Sequence, residues 1–344
     1  MPQTNASRAH NLNWRIVFKR TIHILGIILA VIVGAILAIL LYGQFKPLHL
    51  AELQVNPQPI RDYAEADVAA KQLIAQDTTD TSLNPDCPTR YMSQGKKTEH
   101  VLVIRHGLTN CPRQFDELAQ KYYQLGYTVI ISRIPKHGIA DRKTPIVKNL
   151  TAQEALQSFS HDIDIAQGLG EKVDIMGLSV SGNEVAEMAV QRDDIIQATM
   201  IDPFFGYIYV PAFLTRASAG AILTLPNVFI WWNSKLKENL PGPTNAYYGF
   251  YSHVVGQYLR MTFDVDRPLK AKQTIVITNA NDGAVNNNVT NGLVAKWHRY
   301  GAVNVTAYEF PKSDGLNHDM IDPLQPDANI GIAYPKILEL TTGQ

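Results

Sequence analysis

The sequence predicts an α/β protein: a mainly parallel sheet of about six strands, covered by helices on both faces, with one long apolar helix ahead of it. Three features carry this reading. Short β-branched runs alternate with longer amphipathic segments from about residue 98 onward, a single interval of some sixty residues breaks the alternation, and one stretch near the start has no charge.

That charge-free stretch, residues 24–42, reads ILGIILAVIVGAILAILLY. At about 1.5 Å rise per residue it spans roughly the 30 Å hydrocarbon core of a bilayer. A cleaved signal peptide has a shorter apolar region, and no small-x-small cleavage site follows Tyr42. Arg8, Arg15, Lys19 and Arg20 precede the stretch, whereas only Lys46 stands close behind it. The positive-inside rule then makes residues 1–21 a cytoplasmic tail and 22–43 a transmembrane anchor. Everything after it is expected on the periplasmic or extracellular side, with the lipid bilayer as one partner.

The anchor bears on Cys87 and Cys111, which fall on the exported side, where a disulfide between them can persist. Two cysteines are too few for a zinc site, and no metal is expected. Lys plus Arg balance Asp plus Glu at 31 each, so no net field gathers nucleic acid, which is not expected as a partner.

Residues 44–97 are rich in Pro, Asn, Asp and Thr, with one helical stretch at about 61–76, and read as a stalk or linker. The remainder, 98–344, is expected to be the catalytic domain. Its strands are predicted at 101–105, 128–132, 173–176, 198–201, 274–278 and 305–310. Thr151-Ala152-Gln153-Glu154 is a capping box opening a helix to about Gly168, Pro112 suits a first helical turn, and Gly126 and Gly301 suit helix ends. The interval at about 204–267 is crowded with aromatic residues, thirteen of them between Phe204 and Tyr258. A structureless loop of that length is improbable in a compact domain, so it is expected to form a helical cap over the strand ends.

The chemistry centres on Asp174-Ile175-Met176-Gly177-Leu178-Ser179-Val180-Ser181-Gly182, an apolar strand running into a small-x-Ser-x-small turn and then a helix. A sharp strand-to-helix turn needs small residues two before and two after the Ser, here Gly177 and Ser181, and it exposes Ser179 as a nucleophile. Its hydroxyl needs a base, and the base needs a third group to hold its tautomer. In this arrangement they follow in the order Ser, acid, His. His318 lies in a polar loop after the last predicted strand, and Asp282 lies just past the strand before it. Asp202, directly after the fourth strand, is the rival acid. His161 and His298 sit on predicted helices and His253 in the cap; none of these suits the base. Acyl transfer also needs N–H donors for the developing oxyanion, worth about 3–4 kcal/mol each. Val180, next after the nucleophile, and Leu108, past a strand ending in His106-Gly107, are placed to supply them.

The string Val103-Ile104-Arg105-His106-Gly107-Leu108, together with Arg133-Ile134-Pro135-Lys136-His137-Gly138 and the elbow, resembles the carboxylesterase and monoacylglycerol-lipase branch of the α/β-hydrolase superfamily. The resemblance covers about residues 98–340. It implies a serine esterase with an aromatic lid. No phosphate-cradling loop, HExxH or paired CxxC is present, so no organic cofactor is expected, and the elbow, the ordered acid and His and the aromatic cap point to a small ester with an apolar acyl or alcohol part as substrate. Departures are Ser181 in place of the second elbow Gly, Lys136 where Gly is common, and no recognisable pair of strands before Val101. Acyl transfer and thioester hydrolysis would use the same three residues. A binding protein without activity would ordinarily have lost one of them, and none is lost here.

Overall fold

The computed structural model describes residues 14–343. Most of the expected cytoplasmic tail, Arg8 included, lies outside the described residues. In chain order the elements are α1 (Trp14–Phe45), α2 (Tyr63–Thr79), β1 (Arg90–Met92), β2 (Thr98–Arg105), α3 (Asp116–Gln124), β3 (Thr128–Ser132), α4 (Ala152–Leu169), β4 (Gly170–Leu178), α5 (Val180–Gln191) and β5 (Gln197–Ile201). Then follow α6 (Thr215–Ile222), β6 (Phe229–Trp231), β7 (Gly249–Tyr251), α7 (Ser252–Asp264), β8 (Gln273–Asn279), α8 (Asn287–Arg299), β9 (Val305–Phe310) and α9 (Ile330–Thr342).

The main sheet runs β1-β3-β2-β4-β5-β8-β9, parallel throughout except for β1. Each parallel step requires a crossover, which α3, α4, α5 and α8 supply between successive strands. Strand alternation splits the interior in two. Val101, Val103, Val173 and Ile175 join the core under α4, α5 and α7, while Leu102, Ile104, Met176 and Leu178 join the core under α3 and α9. Each such side chain contributes about 1.5–3 kcal/mol on burial.

Seven strands form the sheet, not about six. The extra one, β1, is a three-residue antiparallel edge lying in what the sequence suggested was linker. In the same segment Leu48, Leu53, Ala66 and Ala70 enter the main core. Helix α2 presses so closely on α4 that a Cβ at Gly168 would stand 2.5 Å from that of Ala66. The cap also differs from expectation. Besides α6 and α7 it contains an antiparallel hairpin, β6 with β7, so it is not purely helical.

The local signals act as their chemistry dictates. Thr151 Oγ1 accepts the Glu154 N–H at 3.1 Å and opens α4, but the Glu154 carboxylate pairs with Lys136 instead of completing the box. Gly126 and Gly301, just past α3 and α8, both take φ of 91°, the left-handed turn that frees a chain from a helix. Helix α1 is long and apolar enough to cross a membrane, by length and composition, from Val17 to Phe45. Its last turn packs on α6.

Candidate active site

Strand β4 delivers Ser179 to the carboxyl edge of the sheet. The backbone there is forced into φ 59° and ψ −120°, a conformation disfavoured for a residue with a Cβ. It is locked by Ser179 N–H donating to Ile201 C=O at 2.9 Å and by Phe204 N–H donating to Ser179 C=O at 3.0 Å. Gly177 is obligatory: a Cβ there would overlap the carbonyl group of Ser181. Ser181 uses its hydroxyl, which donates to the His106 carbonyl at 2.6 Å. The departure from Gly thus ties the turn after β4 to the loop after β2.

His318 and Asp282 reach the same edge from the loops after β9 and β8. His318 Nδ1 and Asp282 Oδ2 are 2.7 Å apart. Asp282 Oδ1 accepts the N–H groups of Ala284 at 2.6 Å and Val285 at 2.9 Å, which fix the carboxylate. Burial alone would raise the Asp282 pKa, but His318 and these N–H groups outweigh it and hold the carboxyl below its ordinary value. Burial likewise opposes charge on His318, and Asp282 outweighs it, leaving the imidazole pKa above its usual value. With Nδ1 engaged, Nε2 is the ring nitrogen left for chemistry.

Ser179 and His318 line one cavity of about 430 Å³, together with Leu108, Val180 and apolar cap residues such as Ile222, Ile230, Trp232 and Leu259. Val180 opens α5, where the first N–H groups of a helix lack intrahelical acceptors. Gly107 also lines the cavity, though a Cβ there would meet Gln114 and Leu178 only at ordinary distances of 3.6–3.7 Å.

Known structures share this architecture. A metagenome-derived lipolytic enzyme of the pair LipS and LipT superposes with a TM-score of 0.57 at 15% identity, over 76% of this chain and 100% of its own. The monoacylglycerol lipase of Paleococcus ferrophilus gives 0.56 at 15%, over 73% of this chain and 96% of its own. A soluble variant of the Saccharomyces cerevisiae monoglyceride lipase, bound to a substrate analogue, gives 0.55 at 10%, over 74% and 91%. The chain has the α/β-hydrolase fold. No family model and no curated protein matches the sequence, and at these identities the likeness carries the fold, not the substrate.

Within the hydrolase fold the supporting residues sort by what they touch. His106 is fully buried; its Nδ1 donates to Gly107 C=O at 2.9 Å and its Nε2 accepts the Ile134 N–H at 3.1 Å, bracing the loops after β2 and β3. Burial holds its pKa well below normal, in keeping with a neutral strut. Lys136 sits at φ 65°, the left-handed region that favours glycine, and is held there by Glu154 and the Asn149 carbonyl. Cys87 and Cys111 are bonded as a disulfide that joins the segment before β1 to the loop carrying Leu108.

The rival acid Asp202 is fully buried, with donor atoms of Asp202, Asp282 and His318 all within 4.8 Å of one another. Its own side-chain oxygens have no hydrogen-bond partner among the described residues. Burial first, and then the Asp282 charge, push its pKa well above the carboxylate range. A carboxyl so placed is disfavoured in its charged form.

One further residue was not singled out from sequence. Gln114 Oε1 accepts the Gly107 N–H at 2.7 Å while its Nε2 donates to Asp319 Oδ1 at 2.7 Å, bridging the loop after β2 to the residue beside His318. Nothing local marks it, since it follows Pro112 on a short turn whose folding against the 318 loop is a long-range event.

Proposed function

We propose that the protein is a membrane-anchored serine hydrolase cleaving carboxylic esters with an apolar acyl or alcohol part, through an acyl-enzyme on Ser179. The observation that supports it best is the shared wall: a Ser on a strained turn at the carboxyl edge of the sheet and a carboxylate-oriented His open into one largely apolar cavity.

In this reading Ser179 Oγ attacks the ester carbonyl as His318 Nε2 takes its proton, and Asp282 steadies the imidazolium that forms. The carbonyl oxygen gains charge and is met by the backbone N–H groups of Leu108 and Val180. Collapse breaks the ester C–O bond, and His318 returns the proton to the departing alkoxide. Water then repeats the sequence on the acyl-enzyme and releases the carboxylic acid. Gln114 and the Ser181–His106 bond hold the donor loop to the elbow, so donors and nucleophile keep one spacing.

Helix α1 is read as the anchor, with Arg8, Arg15, Lys19 and Arg20 on the cytoplasmic side and the hydrolase domain on the other. The Cys87–Cys111 bridge supports an oxidising compartment for that domain.

A fluorophosphonate probe tests the chemistry directly. The full chain should be labelled stoichiometrically and the Ser179→Ala variant not at all; labelling that persists in the variant would move the nucleophile elsewhere.

A further inference from the structure

Helix α6 has two occupied faces. Thr215, Ser218 and Ile222 line the cavity, at the spacing of one helix stripe. Ala217, Gly220 and Ala221 lie against the end of α1: a Cβ at Gly220 would overlap the Gly43 carbonyl, and one at Gly43 would overlap the Ala217 carbonyl oxygen. Polar bonds fix the junction. Arg216 donates to the carbonyls of Gly43 at 2.9 Å and Lys46 at 2.5 Å, and Lys46 Nζ donates to Leu223 C=O at 3.0 Å and Thr224 Oγ1 at 3.1 Å. The cap is thus clamped to the last turn of the apolar helix.

The segments flanking α6 expose large apolar side chains. Phe213 is 81% and Tyr209 79% exposed on one side; Leu225 and Val228 are exposed on the other. Phe213 lies three residues before Arg216, and Leu225 directly follows Thr224, so both stand within about 11 Å of chain from groups bonded to the end of α1. The interfacial layer between hydrocarbon and water is about 5–8 Å deep on each side of a bilayer. Val228, Ile230 and Trp232 then follow at every second position of the β6 hairpin arm, with Ile230 and Trp232 half-exposed and lining the cavity. They form an apolar track from the rim to the cavity.

We infer that the cap rim at Tyr209, Phe213, Leu225 and Val228 lies in the outer interface of the bilayer that holds α1, and that the ester enters the cavity from that leaflet along the Val228–Trp232 track. The partner is the lipid surface, and the substrate is an amphiphile resident in it. This rests on the reading of α1 as a membrane span.

Nitroxide labels on the full chain in phosphatidylcholine vesicles separate the two ideas, since both native cysteines are bridged. Labels are placed in Phe213→Cys, Val228→Cys, Leu29→Cys on α1 and Val303→Cys in the loop after α8, and their collisions with oxygen, which partitions into lipid, are compared with those of a water-soluble nickel chelate. Oxygen-dominated collisions at 29, 213 and 228, with nickel-dominated collisions at 303, are the expected result. Oxygen at 29 with nickel at 213 and 228 overturns the inference and leaves the anchor standing; nickel at 29 removes the anchor reading and the inference with it. In parallel, Phe213→Asp with Leu225→Asp, which line no part of the cavity and lie off the track, should slow hydrolysis of a vesicle-borne long-chain ester by about tenfold. Hydrolysis of a water-soluble short-chain ester should be unchanged, and equal rates on both substrates would overturn the inference.

Discussion

At the scale of single residues the reading turns on how three side chains share protons. Ser179→Ala and His318→Ala should each abolish ester hydrolysis, and the double variant should be no worse than either, because the pair acts as one unit. Asp282→Asn should cost about 10³–10⁴ in turnover by releasing the imidazole tautomer. It should also move the acid limb of the pH–rate profile downward, because Asp282 is what keeps the His318 pKa above its usual value. An unmoved limb would separate Asp282 from the base. Asp202 behaves oppositely. An unfolded chain loses this proton near pH ~4, whereas the folded protein retains it well above that range. In between, the folded state carries the extra proton, so stability from this site falls as pH rises, by up to about 1.4 kcal/mol per pH unit. Asn cannot titrate. Thermal melts of Asp202→Asn should therefore gain on the parent as the pH rises above about 4; a constant difference would mean that Asp202 is ionised in the folded protein. That Ser179, Asp282 and His318 reach one edge of the sheet was legible in sequence, because each follows a predicted strand, whereas their roles belong to the proposal. Asp202 also follows a strand, so position alone could not rank it. Its sealed surroundings decide its state, and those are made by distant residues.

Among the elements, legibility followed length and periodicity. All six expected strands are present, extended by a residue or more at four of them, because short β-branched runs leave a strong mark, even at the edge strand β9 where most side chains are not buried. Strand β1 was missed, as three residues show no alternation, and its partner lies far along the chain, Arg90 pairing with Ile131. The hairpin in the cap was hidden by aromatics that fit helix and strand equally. Cap and sheet together shape the cavity, and this sets a measurable trend. Specificity for nitrophenyl esters should rise from acetate to a medium chain, by about 0.8 kcal/mol for each methylene that the cavity takes in. A flat or falling series would show that the apolar wall does not receive the acyl chain.

Taken whole, the molecule depends on a few ties between remote parts of the chain. The Cys87–Cys111 bridge closes a separation of 24 residues and should stabilise the fold by about 3 kcal/mol, so replacing both with Ser should lower the unfolding midpoint in denaturant accordingly. An unchanged midpoint would show the surrounding packing to be sufficient alone. The junction of α1 with α6 is a tie of another kind, because the long apolar helix also packs against one wall of the cap. A shortened protein beginning near Leu48 would leave Ala217, Gly220 and Ala221 bare and Arg216 without its carbonyl acceptors. Purification in water after such trimming would therefore yield an enzyme whose entrance breathes more than it does at home, and kinetics measured on it would describe a looser gatekeeper than the one the cell employs.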